Sequence, residues 1–268
     1  MKEELLAALA LPEERRLQVA ALLRRDARVR VEDLAEHFAV SGETIRRDLK
    51  VLEDRGIARR VYGGAVVAEA DAAPGPRPAH PGTDEARRAI AAAAAALAQS
   101  GETLILDLGA DAAEAARALP LTFTGRVLCA SLSTAALLAS RDGVEVHVAG
   151  GRLRGGDLAC VDDVAAGFFD RFFAHRAFLA ADGLDARAGL TCQNLDEIAV
   201  RRAMLRQAAQ SYVLADASRL GAIAVGRVAP VADLAGVITD ASADPATVRA
   251  LENAGTHVVI APPVPRWD

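Results

Sequence analysis

Apolar residues recur every three to four positions from Val31 through Leu34 and Ala35 to Phe38, which gathers them on one face of a short helix. Ala39-Val40-Ser41-Gly42 interrupts that pattern. A second helix is expected from about Gly42 to Asp54, with Ile45, Leu49 and Leu52 sharing its buried face. Ser41 suits its N-cap, because a hydroxyl there accepts from an otherwise unpaired amide of the first turn, and Glu43 complements the helix dipole. Upstream, Pro12-Glu13-Glu14 opens a helix that continues through Leu17, Ala20, Ala21 and Leu23 to about Arg25. Downstream, Ile57 to Tyr62 reads as a short strand, Gly63-Gly64 as a turn, and Ala65-Val66-Val67 as the returning strand.

The pattern then changes. Residues 68 to 82 hold four prolines and two glycines without apolar periodicity, the composition of an extended, semi-rigid linker, and His80 within it reads as a solvated side chain. Beyond Thr83, helical and strand patterns alternate. Strands are expected at 103–108, 127–131, 144–149, 176–182, 211–215, near 223–228 and 235–239, and at 256–261. Helices are expected at 84–99, 111–119, 133–140, 161–171, 196–209 and 245–254. Alternation with strands apolar throughout implies an α/β fold with a largely parallel sheet covered on both faces. The expected organisation is a small module of helices and a hairpin at 1–67, a linker at 68–83 and an α/β domain at 84–268.

On the helix from Gly42 to Asp54 the apolar face points Arg47 and Lys50 away from the core, with Thr44 and Arg46 on the flanks. A helix held by its back and cationic on its front fits a major groove, where arginine forks pair with guanine edges or grip phosphates. A solvated helix face would carry similar charges. What separates the two readings is the hairpin, whose Arg59, Arg60 and Tyr62 stand beside a glycine turn where a wing would flank the groove. Between Ser41 and Gly64 six basic residues face four acidic ones.

Composition refines this picture without reversing it. The net charge of -5 is unlike a nucleic-acid binder, yet residues 1 to 70 carry 13 basic and 13 acidic side chains, so the acidity belongs to the C-terminal part. Cys129, Cys160 and Cys192 are widely separated and lack metal-ligand spacing, which suits a reducing compartment; neither a metal nor another cofactor is expected. The most apolar run, Ala89 to Ala98, is too short to span a bilayer and the first residues do not read as a signal peptide, so a cytoplasmic protein is expected.

The segments Val40 to Leu49, V-S-G-E-T-I-R-R-D-L, and Leu52 to Ala65, L-E-D-R-G-I-A-R-R-V-Y-G-G-A, resemble the winged helix-turn-helix of the DeoR family of bacterial transcriptional regulators. Tyr62 departs from the family's histidine, although a tyrosine can still donate to a phosphate. The rest of the chain, from Ala86 to Asp240, is similar to the family's sugar-phosphate-sensing domain in four places. These are Asp107-x-Gly109, Ala149-Gly150-Gly151-x-Leu153-Arg154, Gly189-Leu190-Thr191, and Asp216-x-Ser218 before Leu220-Gly221. The resemblance implies an isomerase-like fold that binds a phosphorylated sugar and relays occupancy to the DNA-binding domain.

The strand ends that carry this punctuation are the candidate effector site: Asp107, Gly109, Ala110 and Asp111, then Gly150, Gly151 and Arg152, then Asp182, then Asp216 and Arg219. Ligands of parallel sheets bind at the carboxyl ends of strands, and helix N-termini there offer free amides to an anion. Simple turn chemistry would use the same residue types. This chain also lacks the family's hydroxyls at Ala110 and Asp111, has Cys129-Ala130 where the family has threonine and asparagine, and has Arg219 for a lysine. A carboxylate beside a phosphate repels it unless neutralised, and Asp111 is expected to occupy the amides that a phosphate would use.

The reading that follows is a sequence-specific regulator, not an enzyme. It is expected to be a repressor that binds a double-stranded DNA operator as a homo-oligomer and answers to a phosphorylated sugar or another small metabolite, through a sensor site expected to have diverged from sugar-phosphate binding. Two alternatives stand beside it. One is an isomerase-like enzyme with Asp107, Asp182 and Asp216 as acid-base groups; the other is a constitutive DNA-binding protein with a degenerate sensor.

Overall fold

In the computed structural model, residues 12–26, 28–54, 58–61, 63–67 and 83–264 are described. The chain divides into two compact units, Met1–Pro78 and Ala79–Asp268. Tyr62, the arginine at 55 and the linker expected at 68–82 lie outside the described residues.

The first unit begins with α1 (Pro12–Asp26), β1 (Arg28–Arg30), α2 (Val31–His37) and α3 (Gly42–Asp54), and ends with β2 (Ala58–Val61) and β3 (Gly64–Val67). Its core takes Val31 and Leu34 from α2, Phe38, and Ile45, Leu49 and Leu52 from α3, as helical periodicity predicts; from α1 it takes Val19, Ala20 and Leu23, while Ala21, expected inside, is exposed. Ala39 takes a positive φ of 49° in the turn between α2 and α3. Ser41 then caps α3, its Oγ accepting from the Thr44 amide at 3.1 Å.

The three strands form an antiparallel sheet in the order β1-β3-β2. β1 has no signature in the sequence, since a three-residue strand with one apolar residue, Val29, between two arginines carries no period to read. It changes the role of Gly64, which is a strand residue opposite both Arg30 and Val61 instead of half of a two-residue turn. A Cβ on Gly64 would stand 2.0 Å from the Val29 carbonyl oxygen, so the close approach of two backbones fixes glycine there.

The second unit is built on β4 (Thr103–Leu106), β5 (Gly125–Cys129), β6 (Val144–Val148), β9 (Ala174–Ala180), β12 (Ala208–Leu214), β14 (Gly236–Asp240) and β15 (His257–Ala261). They form one seven-stranded sheet, parallel throughout, in the order β15-β14-β12-β9-β4-β5-β6. The side-chain period of two sends Leu104, Leu106, Phe178, Leu214 and Ile238 to one face. There they pack against α4 (Thr83–Leu97), α5 (Gly109–Ala118) and α6 (Leu132–Leu138). Ile105, Leu128, Leu179, Val213 and Val237 go to the other face. α7 (Asp163–Phe169), α8 (Ile198–Gln207) and α9 (Pro245–Asn253) cover it, chiefly through Phe169, Val200, Met204 and Leu251. Burial on both faces explains why these strands read as continuous apolar runs.

Two small additions have no counterpart in the sequence pattern except for one strand, which forms at Gly226–Ala229 where a strand near 223–228 is expected. β7 (Arg152–Arg154) and β8 (Ala159–Val161) form a hairpin, and β10 (Gly183–Asp185), β11 (Gly189–Cys192) and β13 (Gly226–Ala229) an antiparallel sheet. The other strands are too short for alternation to register. The order of the large sheet also sets where a ligand would enter. The chain adds β5 and β6 on one side of β4, then reverses to place β9, β12, β14 and β15 on the other, so the switch point lies between β4 and β9.

Replacing Gly64 with alanine should separate β1 from β3 and cost about 2–3 kcal/mol. Alanine at Gly63, where φ is +79° but no atom lies within 4 Å of an added methyl, should cost only about 1 kcal/mol. Equilibrium denaturation of the two variants checks the order; equal losses would mean that the strand contact does not fix Gly64.

Candidate nucleic-acid interface and effector site

α3 turns its apolar back to the core and leaves its cationic residues outside. The side chains of Arg46 and Arg47 are 60% and 81% exposed, and Lys50 is exposed beside them. Glu43 stands 3.5 Å from the Arg46 guanidinium and 3.7 Å from that of Arg47, long contacts worth a few tenths of a kcal/mol each on a helix surface, about 0.2–0.5 kcal/mol. Both arginines can therefore exchange Glu43 for a phosphate or a base edge. Thr44, half-buried, is drawn into the cap, with its Oγ1 at 2.9 Å from Ser41 Oγ.

The wing is tied to α3 by one carboxylate. Glu53 accepts from the Arg60 amide at 2.9 Å and from Arg60 Nε at 2.8 Å, which holds β2 against the end of α3. The sequence predicts that Arg60 grips phosphate freely; its guanidinium is instead shared with Glu53, leaving its other nitrogens for an external anion. Those two bonds from Arg60, the amide foremost, hold the Glu53 carboxyl below the usual glutamate range. The backbone of Arg59 runs in β2, and its side chain lies outside the described residues.

Of the candidate effector loops, those after β4 and β9 flank the switch point. Asp107 follows β4 and is fully buried; its Oδ2 accepts from the Ala180 amide of β9 and from Arg201 Nε of α8, both at 2.8 Å. That turn toward β9 ends the strand at Leu106, two residues before the expected boundary. Burial pushes the Asp107 carboxyl up, against the pull of Arg201. Burial likewise works against the charge of Arg201, yet Asp107 and Glu197 outweigh it and leave the guanidinium more firmly protonated. Arg201 also reaches Glu197 at 3.0 Å, Glu197 binds Arg154, and Arg154 and Arg152 share Asp196. A run of alternating charges thus joins the loop after β4 to the β7 hairpin.

Gly109, at φ +83°, lets the chain turn directly into α5, whose N-cap position, Leu108, offers no side-chain bond to the first amides. Asp111 does not fill that place. Its Oδ1 accepts from Arg87 Nε of α4 at 2.8 Å, with Asp84 on another nitrogen of the same guanidinium, so the expected self-capping by Asp111 is absent. Burial opposes the charge of Arg87, but Asp111, Asp84 and Asp216 hold it protonated. Ala110 is half-buried beside it.

The remaining candidates divide. Arg219 donates to the Ala181 carbonyl at 2.7 Å and pairs with Asp182 at 3.3 Å, bringing the loops after β9 and β12 together. Asp216 caps the turn after β12 through the Ser218 amide at 2.9 Å. Gly150 and Gly151 follow β6, two strands from β4, and are exposed. Arg152 belongs with them, and the run of ion pairs through Asp196 connects it with Asp107. Sequence reasoning missed Arg87, Glu197 and Arg201; the spacing of Glu197 and Arg201, four apart on one helix face, was the available signal. The three cysteines are buried and unpaired, with Cys129 and Cys192 pushed up to about 11 by burial. Among the described residues, no group of acidic, histidine and cysteine side chains could hold a metal ion, and no helix is long and apolar enough to cross a membrane.

Residues 15–71 match the DeoR-like helix-turn-helix domain and residues 83–241 the DeoR C-terminal sensor domain. The chain is 33% identical over 252 residues to the HTH-type transcriptional regulator GlpR of Haloferax volcanii, covering 93% of this chain and 98% of that one. It is 29% identical over 250 residues to a putative aga operon transcriptional repressor of Escherichia coli O157:H7, covering 92% and 93%. It is 26% identical over 223 residues to the glycerol-3-phosphate regulon repressor of Escherichia coli K12, covering 83% and 88%. A ribose 5-phosphate isomerase A from Methanocaldococcus jannaschii aligns with 52% of this chain and 54% of its own at 17% identity and a TM-score of 0.39, too loosely to bear on activity.

Because Glu53 has its pKa lowered from 4.5 in the folded chain, its contact with Arg60 adds stability above that value and loses it as pH falls through the lower, folded pKa. A carboxyl titration followed by NMR should place Glu53 below 4.5, and Arg60→Gln should move it part of the way back, since the backbone bond survives. A wild-type midpoint at 4.5 would contradict the clamp.

Proposed function

We propose, since this chain belongs to the DeoR family of transcriptional regulators, that α3 enters the major groove of an operator as a repressor's recognition helix. Arg46 and Arg47 then carry direct readout, Lys50 and Thr44 flanking contacts, and Arg59, Arg60 and Tyr62 phosphate contacts from the wing. The observation that carries this reading is α3 itself, with Ile45, Leu49 and Leu52 buried and Arg46 and Arg47 exposed opposite them. An operator with repeated half-sites calls for a symmetric assembly, so the working unit is at least a dimer, in the cytoplasm with the DNA.

The effector we assign to the switch-point site is a small phosphorylated metabolite, as the name of the glycerol-3-phosphate regulon repressor encourages. Asp111 alone would repel a phosphate, but Arg87 already neutralises it, and the uncapped start of α5 leaves amides for an anion. Arg219 adds a second cation at the same end of the sheet. An acid-base role for Asp107 is disfavoured, because the carboxyl is fully buried away from any reactant and its Oδ2 is held by Arg201 and the Ala180 amide.

Duplexes enriched by the wild-type chain from a random pool supply the test. Alanine at both Arg46 and Arg47 should remove about 1–3 kcal/mol of discrimination for each bidentate pairing with a base that it abolishes, while leaving the circular dichroism unchanged. Equal preference in the double variant would contradict the groove assignment. For the effector, calorimetry with glycerol 3-phosphate and ribose 5-phosphate should show binding that weakens about tenfold or more in Arg87→Gln, a loss of about 1.4 kcal/mol. Binding that strengthens in that variant, or none in the wild type, would contradict the phosphate reading.

A further inference from the structure

We infer that Asp48, an acidic residue on the buried side of α3, is a positioning residue for DNA reading: clasped by Arg15 and Arg16 of α1, it fixes the roll and register of the recognition helix. The inference rests on the assignment of α3 to the major groove. Asp48 directly follows Arg46 and Arg47 in sequence, but three positions from Ile45 and four from Leu52 place it on the packed face. It is 2% exposed. Its Oδ2 accepts from Arg15 Nε at 2.6 Å and its Oδ1 from Arg16 Nε at 2.9 Å, and Arg15 is buried with it.

Two features separate this contact from ordinary core packing. Apolar burial is non-directional, so Ile45, Leu49 and Leu52 turn the right face of α3 inward but set its roll only coarsely. A carboxylate whose two oxygens each take a different guanidinium has one orientation, and its plane fixes the helix that carries it. A buried ion pair is also weak evidence for stability, because well-packed apolar residues would serve as well, so a role in geometry fits it better. The geometry matters at the groove. Side-chain tips stand roughly 6 Å from a helix axis, so a roll of about 20° moves them by about 2 Å. That displacement exceeds the tolerance of a base-edge hydrogen bond, whereas attraction to phosphates survives it. Asp48 therefore acts on discrimination more than on affinity. At the far end of α3, Glu53 anchors the wing to the same helix, so reader and wing share one frame.

The same chemistry withdraws Arg15 and Arg16 from the pool of phosphate-gripping cations, although their sequence, E-E-R-R, would place them there. Their expected signature is thus a change in selectivity without a change in salt dependence.

The experiment uses the full chain and a duplex enriched by the wild type, with a scrambled duplex of equal length as the second arm. Binding by anisotropy across a salt series is compared for wild type, Asp48→Asn, Arg16→Gln and Arg16→Lys. Asp48→Asn should lower the selected-over-scrambled ratio about tenfold or more, because misalignment that breaks a single base pairing has an effect of that size. Arg16→Gln should lower it less, since Arg15 still holds Asp48, and Arg16→Lys should restore part of the loss. The salt slope on the scrambled duplex should stay unchanged throughout. Should Asp48→Asn fail to fold, Arg16→Gln decides alone, because Arg16 is partly exposed and its replacement leaves the carboxylate paired. A folded variant with an unchanged ratio overturns the clasp, as does a shallower salt slope, which would make these arginines phosphate contacts. A wild type that enriches no sequence overturns both the clasp and the groove assignment beneath it.

Discussion

A helix that reads DNA must be held from behind, and in this chain everything that bears on the DNA depends on how α3 is held. Ile45, Leu49 and Leu52 supply the burial, and Asp48 adds a directional contact in the same face. The residues left over, Arg46, Arg47 and Lys50, are outside because the others are inside. The wing follows from the same helix through Glu53, so a single element positions both the cationic outer face of α3 and the wing beside it.

The sensor unit solves a related problem with charge. A parallel sheet covered on both faces leaves polar chemistry only at strand ends, and here the reversal of strand order between β4 and β9 opens the ends of greatest interest. Asp107 at that point is buried, so it requires a cation, and Arg201 provides one from α8. Glu197 and Arg154 extend the pairing as far as the β7 hairpin. Arg87 plays the corresponding part for Asp111 in the first turn of α5.

Much of this is legible in the sequence, and what is not has a common cause. The helices of the first unit and the seven strands of the second have periods that run over several residues or bury both faces, and they read correctly apart from their ends. β1, β7 and β10 have three residues each, too few for a period; β1 is held by the distant β3, whereas β7 and β10 pair with the short strands that next follow them. The exposed cationic face of α3 is visible because it is local: helical spacing alone puts Arg46 and Arg47 opposite Ile45 and Leu49. The charge partners are invisible because they are not local. Arg201 lies 94 positions from Asp107, Arg87 lies 24 from Asp111, and Arg15 lies 33 from Asp48. The self-capping expected of Asp111 fails for that reason, since a remote cation outcompetes the amides nearby.

The central claim is that the outer face of α3 meets DNA, and arginine-selective chemical modification of the full chain, with and without an enriched duplex, tests it most directly. Arg46 and Arg47 should react in the free chain and be protected in the complex, while Arg88, exposed on α4 of the second unit, reacts equally in both. Continued reactivity of Arg46 and Arg47 in a saturated complex would contradict the account.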